Sequence, residues 1–484
     1  MPNAFAYLML MTWPAVCWVL FRRLPVERAI IWAILGGYLV LPQGAAFDLP
    51  LVPALDKVSI PSLCAFAFCL FYLGKPVVPW PARWPMRLLM AGFVLGAVPT
   101  VLTNGDAIVF TLLGQTAPIV FSSASLPGLG LRDLLSVVIG QVIVLMPFLL
   151  ARQYLSSEAG LRELLVALVV GGLVYSLPAL LEVRLSPQLN IWIYGFFQHD
   201  FHQMMRDGGF RPIVFLPHAL WVAFFFMTAA MAAIALGRTA AGPERARWLA
   251  FALWLLFVLV LCKSLASILY ALALGPVLLL ANPRWQVRLA LVFVLVAVIY
   301  PVLREQGLIP LDAILARVEA FNPDRAQSLG FRFMNEEQLL ARAHEKWLFG
   351  WGGWGRNLVR DVQTGEILSI PDGAWIIVFG TFGWVGYISQ MGLLGAPVAW
   401  LWWRMRGQGG AVPPHAATVA LLLAITMIDM LLNAILTPYT WMMAGAVLGH
   451  CEGLARVPET PSEAAPPRRT IMGSARLPAR RTRL

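Results

Sequence analysis

Two arginine-containing polar stretches carry the residues best suited to chemistry in this chain of 484 residues. The first reads IYGFFQHDFHQMMRDGGFRPIVFLPHALW (193–221) and gathers His199, Asp200, His202, Arg206, Asp207, Arg211 and His218. His199 and His202 stand three apart, a spacing that on a helix puts them on one face. A metal there would still need a third ligand and a supporting shell, and Asp200 would point elsewhere, so no metal or other cofactor is expected. Arg206 and Arg211 say more. Gly208 and Gly209 between them permit a tight turn and a close backbone. Arg211-Pro212 stands where the next apolar stretch begins, and a planar guanidinium at that depth suits phosphate or pyrophosphate, since its fork makes two bonds to one anion. Snorkelling to lipid phosphates is the competing explanation. His218, inside that stretch, is an ionisable group at membrane depth and so a candidate for substrate contact.

The second stretch begins LDAILARVEAFNPDRAQSLGFRFMNEEQLLARAHEKW (311–347), amphipathic and expected as two helices broken at Asn322-Pro323. Arg332, Asn335 and Glu336 share one face there by their i, i+3, i+4 spacing. LFGWGGWGRN (348–357) follows, with the cation Arg356 next to its end. Glycines this dense imply a backbone packed against a ligand or a helix end. As a phosphate loop the signal is weak, because no strand precedes it and no Lys-Ser/Thr follows. Asp372 then stands at the start of an apolar helix, where an acid serves either as N-cap or as a base facing a reaction site.

The elements that must hold these residues are set by composition. Hydrophobic residues make up 59% of the chain and charged residues 13%, with a mean hydropathy of +0.74; soluble proteins carry roughly 25% charged residues. The missing charge is missing in long tracts, and a backbone in lipid must bond internally, so the tracts are helices. The fold class is all-α, a polytopic transmembrane bundle of about 12–14 spans with a large helical non-cytoplasmic loop late in the chain. Candidate spans include 4–21 (read as retained, not as a signal peptide), 29–47, 58–74, 87–103, 264–281 and 416–436. Two non-cytoplasmic loops, 182–212 and 304–372, interrupt a membrane domain of residues 1–455. Segment 104–132 reads as a further loop, partly re-entrant. Residues 456–484 read as a disordered basic cytoplasmic tail attracted to membrane lipids.

The net charge of +11 does not point to nucleic acid, because the excess lies in alternate short loops. Arg22, Arg23 and Arg28, then Lys75, Arg83 and Arg87, then Arg152 and Arg162 begin a series that ends at Arg404, Arg406 and the tail. The positive-inside rule puts those loops in the cytoplasm and the N-terminus outside, so both polar stretches face the periplasm. Cys17, Cys64, Cys69, Cys262 and Cys451 read as small buried hydrophobes. Asp429 and Asn433, one turn apart in a span, are expected to bond to a neighbouring helix.

With many spans, a large late external loop, GGFRP entering a span, and R-x-x-N-E followed by FGWG-x-G and a glycine-rich span, the chain resembles the O-antigen ligase and polymerase superfamily over roughly 190–395. The resemblance implies a metal-independent inverting glycosyltransferase of the bacterial inner membrane. Its donor would be an undecaprenyl-pyrophosphate-linked glycan, its acceptor another glycan or a lipid A core, and its product surface polysaccharide or lipopolysaccharide. Arg211 and Arg332 would be the paired arginines that hold the donor pyrophosphate, with Arg206, His218, Asn335, Glu336 and Arg356 as further substrate-binding residues. Ligases carry a histidine where this chain has Asp372-Gly373; Asp372 would deprotonate or orient the acceptor, unless His199, His202 or His344 does so. Two other readings stay open. A transporter or permease would rest on Asp429, Asn433 and His218, and a non-catalytic scaffold of an envelope assembly machine would use the same fold without its base.

Overall fold

The computed structural model describes residues 1–49, 52–113, 121–206, 208–407 and 412–453; the basic tail and Asp207 lie outside them. The chain is an all-α polytopic bundle, and every expected apolar stretch contains a helix. In chain order these are α1 (Ala4–Arg23), α2 (Val26–Val40), α3 (Ser59–Ala67), α4 (Trp84–Leu95) and α5 (Ala97–Leu102). A hairpin of β1 (Ile108–Leu113) and β2 (Phe121–Leu126) precedes α6 (Leu131–Tyr154), α7 (Glu158–Leu185) and the short α8 (Leu189–Tyr194). The two-residue strands β3 (Met205–Arg206) and β4 (Gly209–Phe210) lead to α9 (Ala219–Thr239), α10 (Gly242–Leu261), α11 (Leu265–Leu280) and α12 (Pro283–Glu305). Then come α13 (Leu311–Phe321), α14 (Pro323–His344), α15 (Ala374–Gly407), α16 (Pro414–Asp429) and α17 (Pro438–Glu452). Among the described residues, seven helices are long and apolar enough to cross a membrane, and three further apolar helices are shorter.

Three local expectations change. Segment 104–132 is not a plain loop: Ile108–Leu113 pairs antiparallel with Phe121–Leu126. The stretch expected at 416–436 is helical only to Asp429, and residues 430–437 turn before Thr437 caps α17 by accepting from Thr440 N. The stretch at 87–103 is two helices meeting at Gly96. The break expected at Asn322-Pro323 is present, with the Asn322 side chain accepting from Arg325 N at 3.1 Å to cap α14.

α9 is the centre of the bundle and packs against α7, α10, α11 and α16. Its sequence explains why. Alanines on most faces let four neighbours approach, while Phe224, Phe225 and Phe226, all fully buried, fill the spaces between them. α17 approaches α6 more closely still. Gly445 and Gly449, spaced i, i+4, lie on the carbonyls of Phe148 and Arg152 so tightly that a Cβ at either would overlap the carbonyl oxygen. This is the small-residue packing that helices use where no water drives them together.

At the end of the same contact, Arg152 Nε meets Glu452 Oε2 at 2.7 Å, with both side chains out of solvent. Arg152 also donates to Val78 O and Trp80 O, and Glu452 Oε1 accepts from Ala82 N. The pair therefore ties the loop before α4 to both helices. Arg152→Ala leaves Glu452 buried without its counter-charge and is expected to destabilise the protein by about 3–5 kcal/mol. Replacing both residues by Met should cost clearly less than the sum of the single changes. Thermal unfolding in detergent measures both.

Candidate functional site

Between α7 and α9 the chain runs without a long helix, so its buried backbone groups need partners from side chains. Glu182, buried near the end of α7, supplies three of them. Its Oε1 accepts from Leu189 N at 3.0 Å, and its Oε2 accepts from Ile213 N at 2.8 Å and Val214 N at 2.7 Å. Tyr175 Oη accepts from Phe215 N at 3.0 Å, the Lys57 ammonium donates to Phe215 O at 2.7 Å, and Gln198 Nε2 donates to Val214 O at 2.8 Å. The segment just after Arg211-Pro212 is thus held by four side chains, which sustains Val214 at φ 51°, a conformation a β-branched residue rarely adopts. Ahead of it, β3 and β4 pair Met205 with Phe210 and Arg206 with Gly209 around a turn with Gly208 at φ 69°. Lys263 Nζ donates to Arg206 O at 2.7 Å, fixing the hairpin to the start of α11.

The second polar stretch is fixed by its own middle residues. Arg332 projects into the site, whereas Asn335 and Glu336 hold the scaffold in place. Asn335 Oδ1 accepts from Ile370 N at 2.7 Å and so pins the backbone two residues before Asp372. Glu336 Oε1 receives Arg304 Nε at 2.8 Å and Tyr300 Oη at 3.1 Å, both from α12. Its other oxygen accepts from Trp375 Nε1 of α15 at 3.4 Å. The three residues predicted to share a face do so, with different tasks: one presents a charge, one orders the loop, one locks α14 to α12 and α15.

The two stretches meet in a cavity of about 580 Å³ lined by His199, Arg206, Arg211, His218, Arg332 and Asp372, with Asn433 contributing from the turn after α16. Arg211 is 3% exposed. Among the described residues its side chain makes one hydrogen bond, from Nε to Cys262 O at 3.4 Å. Burial, reinforced by the like charges of Arg206, Arg332 and Arg325, pushes its guanidinium down to about 10, still charged at neutral pH. Arg332 donates to Leu432 O and Asn433 Oδ1, each at 3.3 Å, and its Nε lies 3.7 Å from Asp372 Oδ2. Asn433 in turn donates to Asp429 Oδ1 at 2.9 Å. Asn433 therefore bonds both to Asp429 and to Arg332 of α14, the bond to a neighbouring helix that the sequence leads one to expect.

Asp372 does not cap α15. The first N–H groups of that helix go elsewhere, Ala374 N to Asn433 O at 3.2 Å and Trp375 N to Met430 O at 3.4 Å. The carboxylate is left at the cavity wall, where burial raises its pKa and Arg332 opposes the rise. His218 caps α9 instead, with Nδ1 accepting from Leu220 N at 3.0 Å and Nε2 standing 3.3 Å from Gln203 Oε1. Burial first, then His199, Arg211 and Arg332, drive it down to about 3, so it stays a neutral imidazole. The ring of His199 stands edge-on to it, centroids 4.5 Å apart. His202 lies apart from His199. Asp200 caps the single turn Phe201–Met204 by accepting from His202 N, so His199 precedes the turn and the shared face disappears. His202 is exposed away from the cavity, and among the described residues no group of His, Cys, Asp and Glu is arranged to hold a metal.

Arg356 and the glycine-rich run also belong elsewhere. Arg356 donates to Pro127 O at 2.7 Å and Asp106 O at 3.0 Å, away from the cavity. The run docks into a break in α15 at Gly383 (φ 61°): Trp351 N and Gly352 N donate to Gly380 O and Thr381 O, while Trp384 N donates back to Trp347 O. The glycines serve a helix break and not a ligand. His344 lies 3.7 Å from Glu305 Oε1, also outside the cavity. All five cysteines are free, and Cys17, Cys69, Cys262 and Cys451 are buried.

No family model matches the chain, and no curated protein does.

In sequence Glu182 reads as an ordinary interface residue at a span end and Lys57 as a loop charge, whereas both are buried here; Tyr175 and Gln198 carry no signal. The one available signal was an isolated acid at the end of an apolar helix, a group that needs partners wherever it is buried. Glu182→Ala strands three backbone N–H groups, at about 1–3 kcal/mol each where they stay dry. We expect a loss of about 3 kcal/mol or more of stability, with Glu182→Gln milder because its amide oxygen still accepts. Unfolding midpoints in detergent decide this.

Proposed function

We propose that this chain is an integral inner-membrane glycosyltransferase of O-antigen ligase and polymerase type. It moves a glycan from undecaprenyl pyrophosphate to an acceptor hydroxyl on the periplasmic side. One observation carries the reading: a buried guanidinium, Arg211, makes one side-chain hydrogen bond among the described residues and shares a cavity with Arg206, Arg332 and the Asp372 carboxylate. Such a charge is costly to bury unless an anion completes it. Two forked cations on one cavity match the two phosphates of a lipid pyrophosphate. The sequence resemblance and the alternating loop charges supply the donor class and the orientation.

In this reading the acceptor oxygen attacks the anomeric carbon from the face opposite the pyrophosphate. The new C–O bond forms as the bond to the pyrophosphate oxygen breaks, with inversion, and undecaprenyl pyrophosphate departs with the electron pair. Asp372 takes the proton of the acceptor hydroxyl. Arg211 and Arg332, ordered beforehand, stabilise the charge that grows on the leaving oxygen, which is the largest contribution a preorganised site makes. His218 stays neutral and shapes the wall. Asn335 and Glu336 keep Asp372 and Arg332 in register.

Two outcomes test this. In a deletion strain, Arg211→Ala and Asp372→Asn should fail to restore surface glycan, while Arg211→Lys restores part of it. With purified protein and lipid-linked donor, Arg211→Ala should lower turnover about 10²–10³-fold. Glycans of wild-type size and attachment in the deletion strain would sink the proposal. Stored lipid-linked repeat units indicate a polymerase, and finished polymer left on the carrier indicates a ligase.

The acid limb of the pH profile is the second. Asp372 must be deprotonated to act, and burial raises its pKa, so activity falls as pH drops through a value higher than that of an exposed aspartate. Arg332 lowers that pKa. The residual activity of Arg332→Gln should therefore show its acid limb displaced to higher pH. An unmoved limb would remove Asp372 from the role of base.

A further inference from the structure

The far end of α15 carries a second basic site. α15 begins beside Asp372 and ends with Trp400, Trp402, Trp403, Arg404 and Arg406, so this site lies at the opposite end of the bundle from the cavity above. A concavity of about 610 Å³ opens there, lined by Arg83, Trp400, Trp403, Arg404, Arg406 and Glu452. Arg83, on the loop before α4, stacks its guanidinium on Trp400 at 4.8 Å and Trp403 at 5.7 Å from the ring centroids. Arg406 stacks on Trp402 at 4.9 Å. Arg404 is held by the carbonyls of His450 and Cys451 at the end of α17. Stacking orients a guanidinium yet leaves its edge N–H groups open to an acceptor.

Glu452, the acid that the described residues place in this wall, offers these arginines little. Both oxygens of Glu452 are engaged, one by Arg152 at 2.7 Å and the other by Ala82 N at 2.7 Å. Among the described residues, three cations therefore converge on one concavity whose carboxylate is already neutralised. Ordinary interfacial arginines point outward and apart; these face a shared space. An apolar hollow of about 270 Å³ continues from it, walled by Met86, Ala396 and the same two tryptophans. Its flank is open, with Trp84 and Leu88 of α4 among the exposed large hydrophobics. A phosphate-sized anion attached to an apolar chain fits both parts. A free phosphate would use only the first.

We propose that this end of the bundle is a binding site for an anionic glycerophospholipid, its phosphate held by Arg83, Arg404 and Arg406 and its acyl chain lying against Met86 and Ala396. The site is independent of the transferase reading. It shares no residue with the cavity at the other end, and it would stand if that reading failed. Basic pockets between membrane helices recognise acidic headgroups in this way, each arginine near the surface contributing roughly a fivefold gain in affinity.

The test uses the full chain in detergent, titrated with phosphatidylglycerol, phosphatidylcholine or inorganic phosphate, with bound lipid counted by native mass spectrometry and stability followed by thermal unfolding. Phosphatidylglycerol should be retained and should raise the unfolding temperature, whereas phosphatidylcholine and inorganic phosphate should do neither. Arg83→Ala and Arg406→Ala, both at exposed positions, should each weaken retention about fivefold, and Arg83→Lys should keep part of it. The arginines beyond residue 453 are common to every variant and cancel in the comparison. Equal retention of phosphatidylcholine overturns the proposal, as does full competition by inorganic phosphate. So does wild-type affinity in both alanine variants.

Discussion

The Glu182 carboxylate, accepting three backbone N–H groups from residues on both sides of a loop, is the interaction on which the candidate site depends. A helix satisfies its own backbone, and the bundle is built that way wherever it meets lipid. The segment carrying Arg211 has no such provision. It must be buried to put a guanidinium in a cavity, and it must be irregular to turn from β4 into α9. Side chains from three parts of the fold, Lys57 before α3, Tyr175 and Glu182 of α7, and Gln198 after α8, make that combination stable. Remove them and the helices would still form, but Arg211 would be left with its backbone bond to Met204 O and its side-chain bond to Cys262 O to hold its depth.

Electrostatics at the site follow from that placement. Among the described residues the cavity gathers three arginines against the carboxylate of Asp372, which lies 3.7 Å from Arg332. Arg211 sits under repulsion from its neighbours and is poorly solvated, so an entering anion relieves both costs at once. Asp372 feels the opposite pressures: burial favours its neutral form and Arg332 favours its charged form. A group so balanced is easier to protonate than an exposed aspartate, which makes it a better acceptor of a hydroxyl proton. The neutral His218 contributes by adding no further charge to a cavity already in excess.

Much of this was legible in the chain. The apolar tracts marked the helices, and Asn322-Pro323 marked the break between α13 and α14. Arg211 and Arg332 stood out as cations in glycine-rich and amphipathic settings, and both line the cavity. What could not be read was which polar residues serve the fold. Arg356 and the run of glycines at 348–357 look like ligand chemistry in one dimension, yet they satisfy a broken α15 and the carbonyls of residues 106 and 127. Asp372 looks like a helix cap until the carbonyls of Met430 and Asn433, sixty residues on, are seen to take the N–H groups it would have capped. Local sequence records an amino acid's capacity to bond. The partner comes from the tertiary fold.

α15 joins the two ends of the molecule, and its break at Gly383 is the feature that lets one helix serve both. A straight helix of this length would carry Asp372 and Arg404 along one axis. The left-handed residue at 383 instead frees carbonyls at 380 and 381, which the glycine-rich run binds through Trp351 N and Gly352 N. That docking fixes the loop between α14 and α15, and with it the backbone that Asn335 pins ahead of Asp372. The far end keeps a continuous helix that carries Trp400, Trp402, Trp403, Arg404 and Arg406. The break thus divides one element into a half that obeys the geometry of a polar cavity and a half that obeys the geometry of a lipid interface. Gly383 is the position where the two requirements meet, because a side chain there would strike the backbone of Leu348 and Phe349.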